Sequence, residues 1–86
     1  MKGNTEPMPV TLTGIIIVVD WDENNNIVDI ALATAYEQDY RINNTHKKTE
    51  LLGLIGREVK VIGTVKADEH GKKIINVQKY EPLEFD

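Results

Sequence analysis

Asp20, Asp22, Asn24 and Asn26 place four side-chain oxygens at alternate positions, the spacing by which the first half of a calcium loop presents its ligands. The match then stops. Such a loop needs glycine at its sixth position and a bidentate glutamate at its twelfth, where this chain has Asn25 and Ala31, and the segment from Ile27 reads as a strand, not a helix. Residues 20 to 26 are therefore read as a solvated hairpin loop. His46 and His70 stand without cysteine or carboxylates at metal spacing and are read as surface histidines. The chain has no cysteine and no serine, and neither a G-x-G-x-x-G nor a P-loop glycine pattern, so thiol, serine and nucleotide chemistry lack their parts. Asp29 and Asp39 can pair across strands, but an exposed carboxylate pair without a desolvating pocket is not an acid–base site. These absences predict a non-enzymatic chain with no cofactor and no metal.

Binding chemistry is what remains. Trp21 could stack on a base, a sugar or a peptide side chain; the competing reading is that the ring folds over the barrel end beside Val19. Charge narrows the partner. The net charge is -4, and residues 1 to 45 carry only Lys2 and Arg41 against seven carboxylates. A polyanion is repelled by that half, since Lys and Arg contacts to phosphate supply most nonspecific nucleic-acid affinity. Lys47, Lys48, Lys60, Lys66, Lys72, Lys73 and Lys79 form the basic surface and are read as solvated strand and helix faces.

Periodicity gives the elements that position these residues. Met1 to Pro9 hold two prolines and no apolar period, which predicts a disordered tail over 1–9. From Val10 the pattern repeats every second residue: Leu12, Gly14, Ile16 and Val18 share one face, with a bend at Gly14. Residues 20 to 26 are predicted to turn the chain into a second strand over Ile27 to Thr34, with Val28, Ile30 and Leu32 inward and Asp29, Ala31 and Ala33 outward. A third strand over Gln38 to Asn43 directs Tyr40 and Ile42 inward. Asn43, Asn44 and Thr45 offer helix caps, and Leu51, Leu52, Leu54 and Ile55 share one helical face before Gly56. Two further strands, Val59 to Lys66 and Lys72 to Tyr80, flank a turn at Asp68, Glu69, His70 and Gly71. One domain over residues 10–84 accounts for all of this, with 85–86 as its end.

Three strands, a short helix and two strands is the order of an all-β, five-stranded Greek-key barrel whose helix plugs one end. The segments Val10-Thr11-Leu12-Thr13-Gly14, Glu50-Leu51-Leu52-Gly53-Leu54-Ile55-Gly56 and Lys73-Ile74-Ile75-Asn76-Val77 carry a likeness to that barrel. In these residues the chain resembles the oligonucleotide/oligosaccharide-binding (OB) superfamily, and within it small bacterial OB-fold proteins of periplasmic or lipoprotein settings. The resemblance implies a binding face on the second and third strands, flanked by the loops joining strands one to two and four to five. Carried onto this chain, the candidate ligand-binding residues are Trp21, Asp29, Asp39, Arg41 and His70. The acidic first half favours a peptide, protein or cationic ligand over the alternative, single-stranded nucleic acid, and if these strands present Asp29, Glu37 and Asp39 together, affinity for a polyanion is expected to be weak. The longest apolar run, Ile15 to Val19, is too short for a membrane span, and the compartment is read as cytoplasmic by default, or periplasmic if a leader was removed.

Overall fold

The computed structural model describes residues 8–35, 38–43 and 45–83. The alternating, β-branched stretch from Val10 forms β1 (Val10–Trp21), followed by β2 (Ile27–Thr34), β3 (Asp39–Ile42), α1 (Thr45–Leu51) with a 3-10 turn over Leu52–Leu54, β4 (Glu58–Ala67) and β5 (Lys73–Pro82). The five strands close into a barrel in the order β1-β2-β3-β5-β4. All neighbours are antiparallel except β3 and β5, which pair in parallel at Arg41 with Ile74 and Ile42 with Ile75. The expected order of three strands, one short helix and two strands is the observed one.

Closure depends on β1 serving two partners. Its first half, Val10 to Ile15, pairs with β4, and its second half, from Gly14 on, pairs with β2. Gly14 faces Thr34 on one side and Val59 on the other, so the bend expected there is the hinge between the two halves of the sheet. A Cβ at Gly14 would sit 2.9 Å from the Ala33 carbonyl carbon and 3.1 Å from Leu32 Cγ, so only glycine allows β1 and β2 to approach this closely.

Inside lie Ile16, Ile30, Leu32, Ile42, Leu51, Val59, Val61, Ile75 and Val77, the inward set of every strand plus one helical leucine. The helical part departs from expectation. α1 stops at Leu51 and tightens into the 3-10 turn, which rotates the next side chains off the α-helical face. Leu51 is buried and Leu54 and Ile55 half-buried, whereas Leu52 is exposed; Ile55 instead forms a parallel bridge to Ile16. Gly56, at φ 84°, then turns the chain as a residue past a helix end should. Val28 is also a correction: it is exposed rather than inward, because it falls where the β1–β2 register shifts, between the Asp20–Asp29 and Trp21–Ile27 pairs, beyond the last core residue of β2, Ile30. The tail expected over 1–9 lies outside the described residues except for Met8 and Pro9, which are exposed.

Both long hairpins turn by one device. In each, an aspartate at the first loop position accepts two backbone N–H groups on one carboxylate oxygen. Asp22 Oδ1 takes the amides of Asn24 and Asn26 at 2.8 and 2.9 Å, and Asp68 Oδ1 takes those of His70 and Lys72 at 2.8 and 2.9 Å. The residue three positions on, Asn25 at φ 65° or Gly71 at φ 81°, supplies the left-handed step of a type I turn with a bulge.

Candidate functional site

The outer face of β1, β2 and β3 is built from cross-strand rows. Ile17, Ala31, Arg41 and Ile74 lie in register across four strands, and Ile15, Ala33 and Asp39 form the next row. Beyond them the register shifts twice, past Val19 on β1 and past Val28 on β2, so that Asp20 opposes Asp29 and Trp21 opposes Ile27. Trp21 and Asp20 therefore belong to β1, not to the loop where the sequence suggested them. The ring of Trp21 is not folded over the barrel end: the residue is 55% exposed, alongside exposed Ile15, Val19, Ile27 and Val28.

A groove of about 420 Å³ crosses this face, lined by Val19, Asp20, Ala31, Asp39, Arg41, Lys72 and Lys73. The alanines explain its floor. Ala31, expected to face outward, does lie on the outer face, yet it is fully covered because Ile17 and Arg41 flank it in the same row. Lys73 borders β3 because its neighbour Ile74 is the parallel partner of Arg41.

Electrostatically the described part of the face mixes both signs of charge. Arg41 donates to Asp29 Oδ2, and Lys48 Nζ, on α1, lies 3.3 Å from Asp29 Oδ1. The same oxygen accepts the Ile30 amide at 3.1 Å. Asp29 is thus compensated by two cations and withdrawn to 16% side-chain exposure. Glu37 lies outside the described residues, and in the groove three cations stand against the carboxylates of Asp20 and Asp39. The hairpin tip is different: Asp20, Asp22 and Glu23 surround Trp21 with no ion pair among the described residues. Asp22 carries the depressed pKa expected of its turn role, lowered first by the Asn26 amide and further by the Asn26 side chain and the Asn24 amide. With its oxygens taken by those amides, it is a turn residue before it is a ligand for anything else.

Of the five residues singled out from sequence, Asp39 and Arg41 line the groove, Asp29 anchors Arg41 beside it, and Trp21 stands at its hairpin end. His70 does not join them. It is exposed in the β4–β5 turn, 3.6 Å from Glu69 Oε1. Sequence reasoning missed Val19, Asp20, Lys72 and Lys73 as groove residues and Lys48 as the second partner of Asp29. Among the described residues no three His, Cys, Asp or Glu side chains gather as metal ligands, and no helix is long and apolar enough to cross a membrane. No protein-family model, no curated protein and no solved structure matches the chain.

Proposed function

We propose that the chain is a small, non-enzymatic OB-type binding module that takes a peptide or a short segment of a protein on the outer face of β1, β2 and β3. One observation carries the reading. A solvated strand face alternates to polar residues, whereas β1 beyond its hinge presents Ile15, Ile17, Val19 and Trp21 on this face, interrupted by Asp20 at the register shift, with exposed Ile27 opposite Trp21. The size of this face suits a segment better than a whole domain. Seven residues of β1 and of β2 at about 3.3 Å each, with three of β3 beside them and strands about 4.8 Å apart, span about 270 Å². That is under half of the roughly 800 Å² per partner that a standard protein interface buries.

A second reading, single-stranded nucleic acid, is favoured by Arg41, Lys72 and Lys73 in the groove near an exposed tryptophan, since such sites combine cations with stacking platforms. Trp21 is the only tryptophan, so its fluorescence reports on both. The test is a titration with oligo(dT) at low salt and at about 150 mM salt, beside peptides selected from a random display library on the folded protein. The peptide reading expects selected peptides to lose about tenfold in affinity on Ile17→Lys and oligo(dT) to be released at the higher salt. Submicromolar oligo(dT) binding at the higher salt would overturn it and make Trp21 and Arg41 the stacking and phosphate contacts.

A further inference from the structure

We propose that the free edge of β1 at Val10–Thr13 is a strand-addition site for an extended peptide that carries a basic side chain, adjoining the outer face at Ile15. β1 pairs with β4 from Val10 onward but with β2 only from Gly14 onward. On the β2 side, residues 10 to 13 have no strand partner among the described residues. The direction of their backbone groups is set by Ile16, which accepts from the Gly56 amide at 2.8 Å and donates to the Arg57 carbonyl at 3.2 Å, both on the β4 side. β1 is in regular register from there back to Val10, so the odd residues Thr11 and Thr13 turn their N–H and C=O groups to the open side.

That edge borders a groove of about 820 Å³, walled by Thr11 and Thr13 on one side and by Thr34, Gln38 and Tyr40 on the other. Exposed Ile15 and half-buried Leu12 and Tyr40 offer apolar contacts for alternate side chains of an added strand. Glu58 is the only charged residue among those lining the groove, and it has no ion-pair partner among the described residues. It selects a basic side chain.

The chain guards the edges of its projecting hairpin and leaves this one open. At the projecting hairpin, β1 is broken by the Val19 bulge, Asp20 caps the Trp21 amide at 2.9 Å, and Asp29 caps the Ile30 amide at 3.1 Å. Residues 10 to 13, Val-Thr-Leu-Thr, have neither bulge, charge nor proline, although an unprotected edge invites pairing and is ordinarily blunted.

The probe is the heptapeptide Ac-Lys-Thr-Val-Lys-Val-Thr-Lys-NH2, added to the isotope-labelled full chain while amide hydrogen exchange is tracked residue by residue. At saturation the Thr11 and Thr13 amides should exchange at least about tenfold more slowly, with shifts spreading to Thr34 and Gln38. Thr13→Pro, which lacks the edge N–H, should abolish binding while its far-UV spectrum and melting temperature confirm the barrel. Glu58→Gln should weaken binding about fivefold and carries the test if the proline variant does not fold. Unchanged exchange at Thr11 and Thr13 with peptide in excess would overturn the proposal. So would a peptide-independent dimer that protects these amides, which makes the occupant a second copy. Shifts confined to Ile17, Ala31 and Arg41 would overturn it too, while supporting the outer-face reading.

Discussion

Gly14→Ala tests the hinge on which the barrel closes. The added Cβ would meet the Ala33 carbonyl carbon at 2.9 Å, against the roughly 3.5 Å at which carbon atoms rest, so β1 and β2 must part by about 0.6 Å or more. Two of the three nearest atoms belong to the Ala33 backbone, held in register by the pairs on either side, so neither can rotate away. Overpacking of this kind costs about 1 to 3 kcal/mol, and the immovable neighbour places this case near the top. Replacing glycine by alanine returns roughly 0.5 to 1 kcal/mol through the unfolded chain, which leaves a net loss near 2 kcal/mol. For a domain of this size that is a fall in Tm of about 8 to 16 °C. Circular dichroism melts of Gly14→Ala beside Gly53→Ala supply the contrast, because a Cβ at Gly53 meets nothing within 4 Å and should leave the Tm level or slightly raised. If Gly14→Ala melts within about 2 °C of the parent, or Gly53→Ala falls as far, the close approach does not govern closure.

Gly71→Ala forces an alanine to φ 81° in the β4–β5 turn and should cost about 1 kcal/mol, read as a lower urea midpoint at unchanged slope. Asp22 holds a folded pKa below its ordinary 3.8, so its contribution to stability is full above that value and is lost as pH falls through the folded pKa. The Tm gap between the parent and Asp22→Asn should therefore close on acidification from pH 6 toward pH 2, and a constant gap would refute the turn role. Tyr80 titrates above its ordinary 10.0, first because its hydroxyl donates to Glu50 Oε1 at 2.8 Å and then through burial and the Glu50 charge. That contribution is intact below pH 10 and lost as pH rises through the folded pKa, so Tyr80→Phe should lose less stability than the parent on alkaline titration. Asp29→Asn leaves Arg41 and Lys48 uncompensated at a half-buried site and should cost about 1 to 2 kcal/mol in urea unfolding, while raising oligo(dT) affinity at low salt.

The barrel was legible because its signals are local and repeat. The period of two from Val10 to Val18, the turn residues at Asp22 and Asp68, and leucines beside Gly56 each specify an element with no knowledge of the others. Where the reading slipped, a long-range contact decided. Val28 has the inward parity of Ile30 and Leu32, but nothing in the sequence says that the pairing with β1 shifts at Val28, past the end of the core at Ile30. Leu52 looked buried because an α-helical face was extended through a segment that tightens to a 3-10 turn, where Ile55 is drawn to Ile16 instead.

The site was less legible because its charge is a property of neighbours brought together by closure. In sequence, Asp29 and Asp39 belong to an acidic half, and the lysines that answer them lie far along the chain. Two contacts set cations against them. α1 brings Lys48 against Asp29, and the parallel pair of Arg41 with Ile74 sets Lys72 and Lys73 along the groove that Asp39 lines. A net charge of -4 therefore says little about this face, and the half-by-half tally that counted against a polyanion measured sequence neighbours rather than spatial ones. The apolar content of the face survives that correction. Ile15, Ile17 and Val19 lie on β1 itself, where no rearrangement of distant lysines covers them, so the case for a peptide rests on apolar surface and not on the sign of the charge.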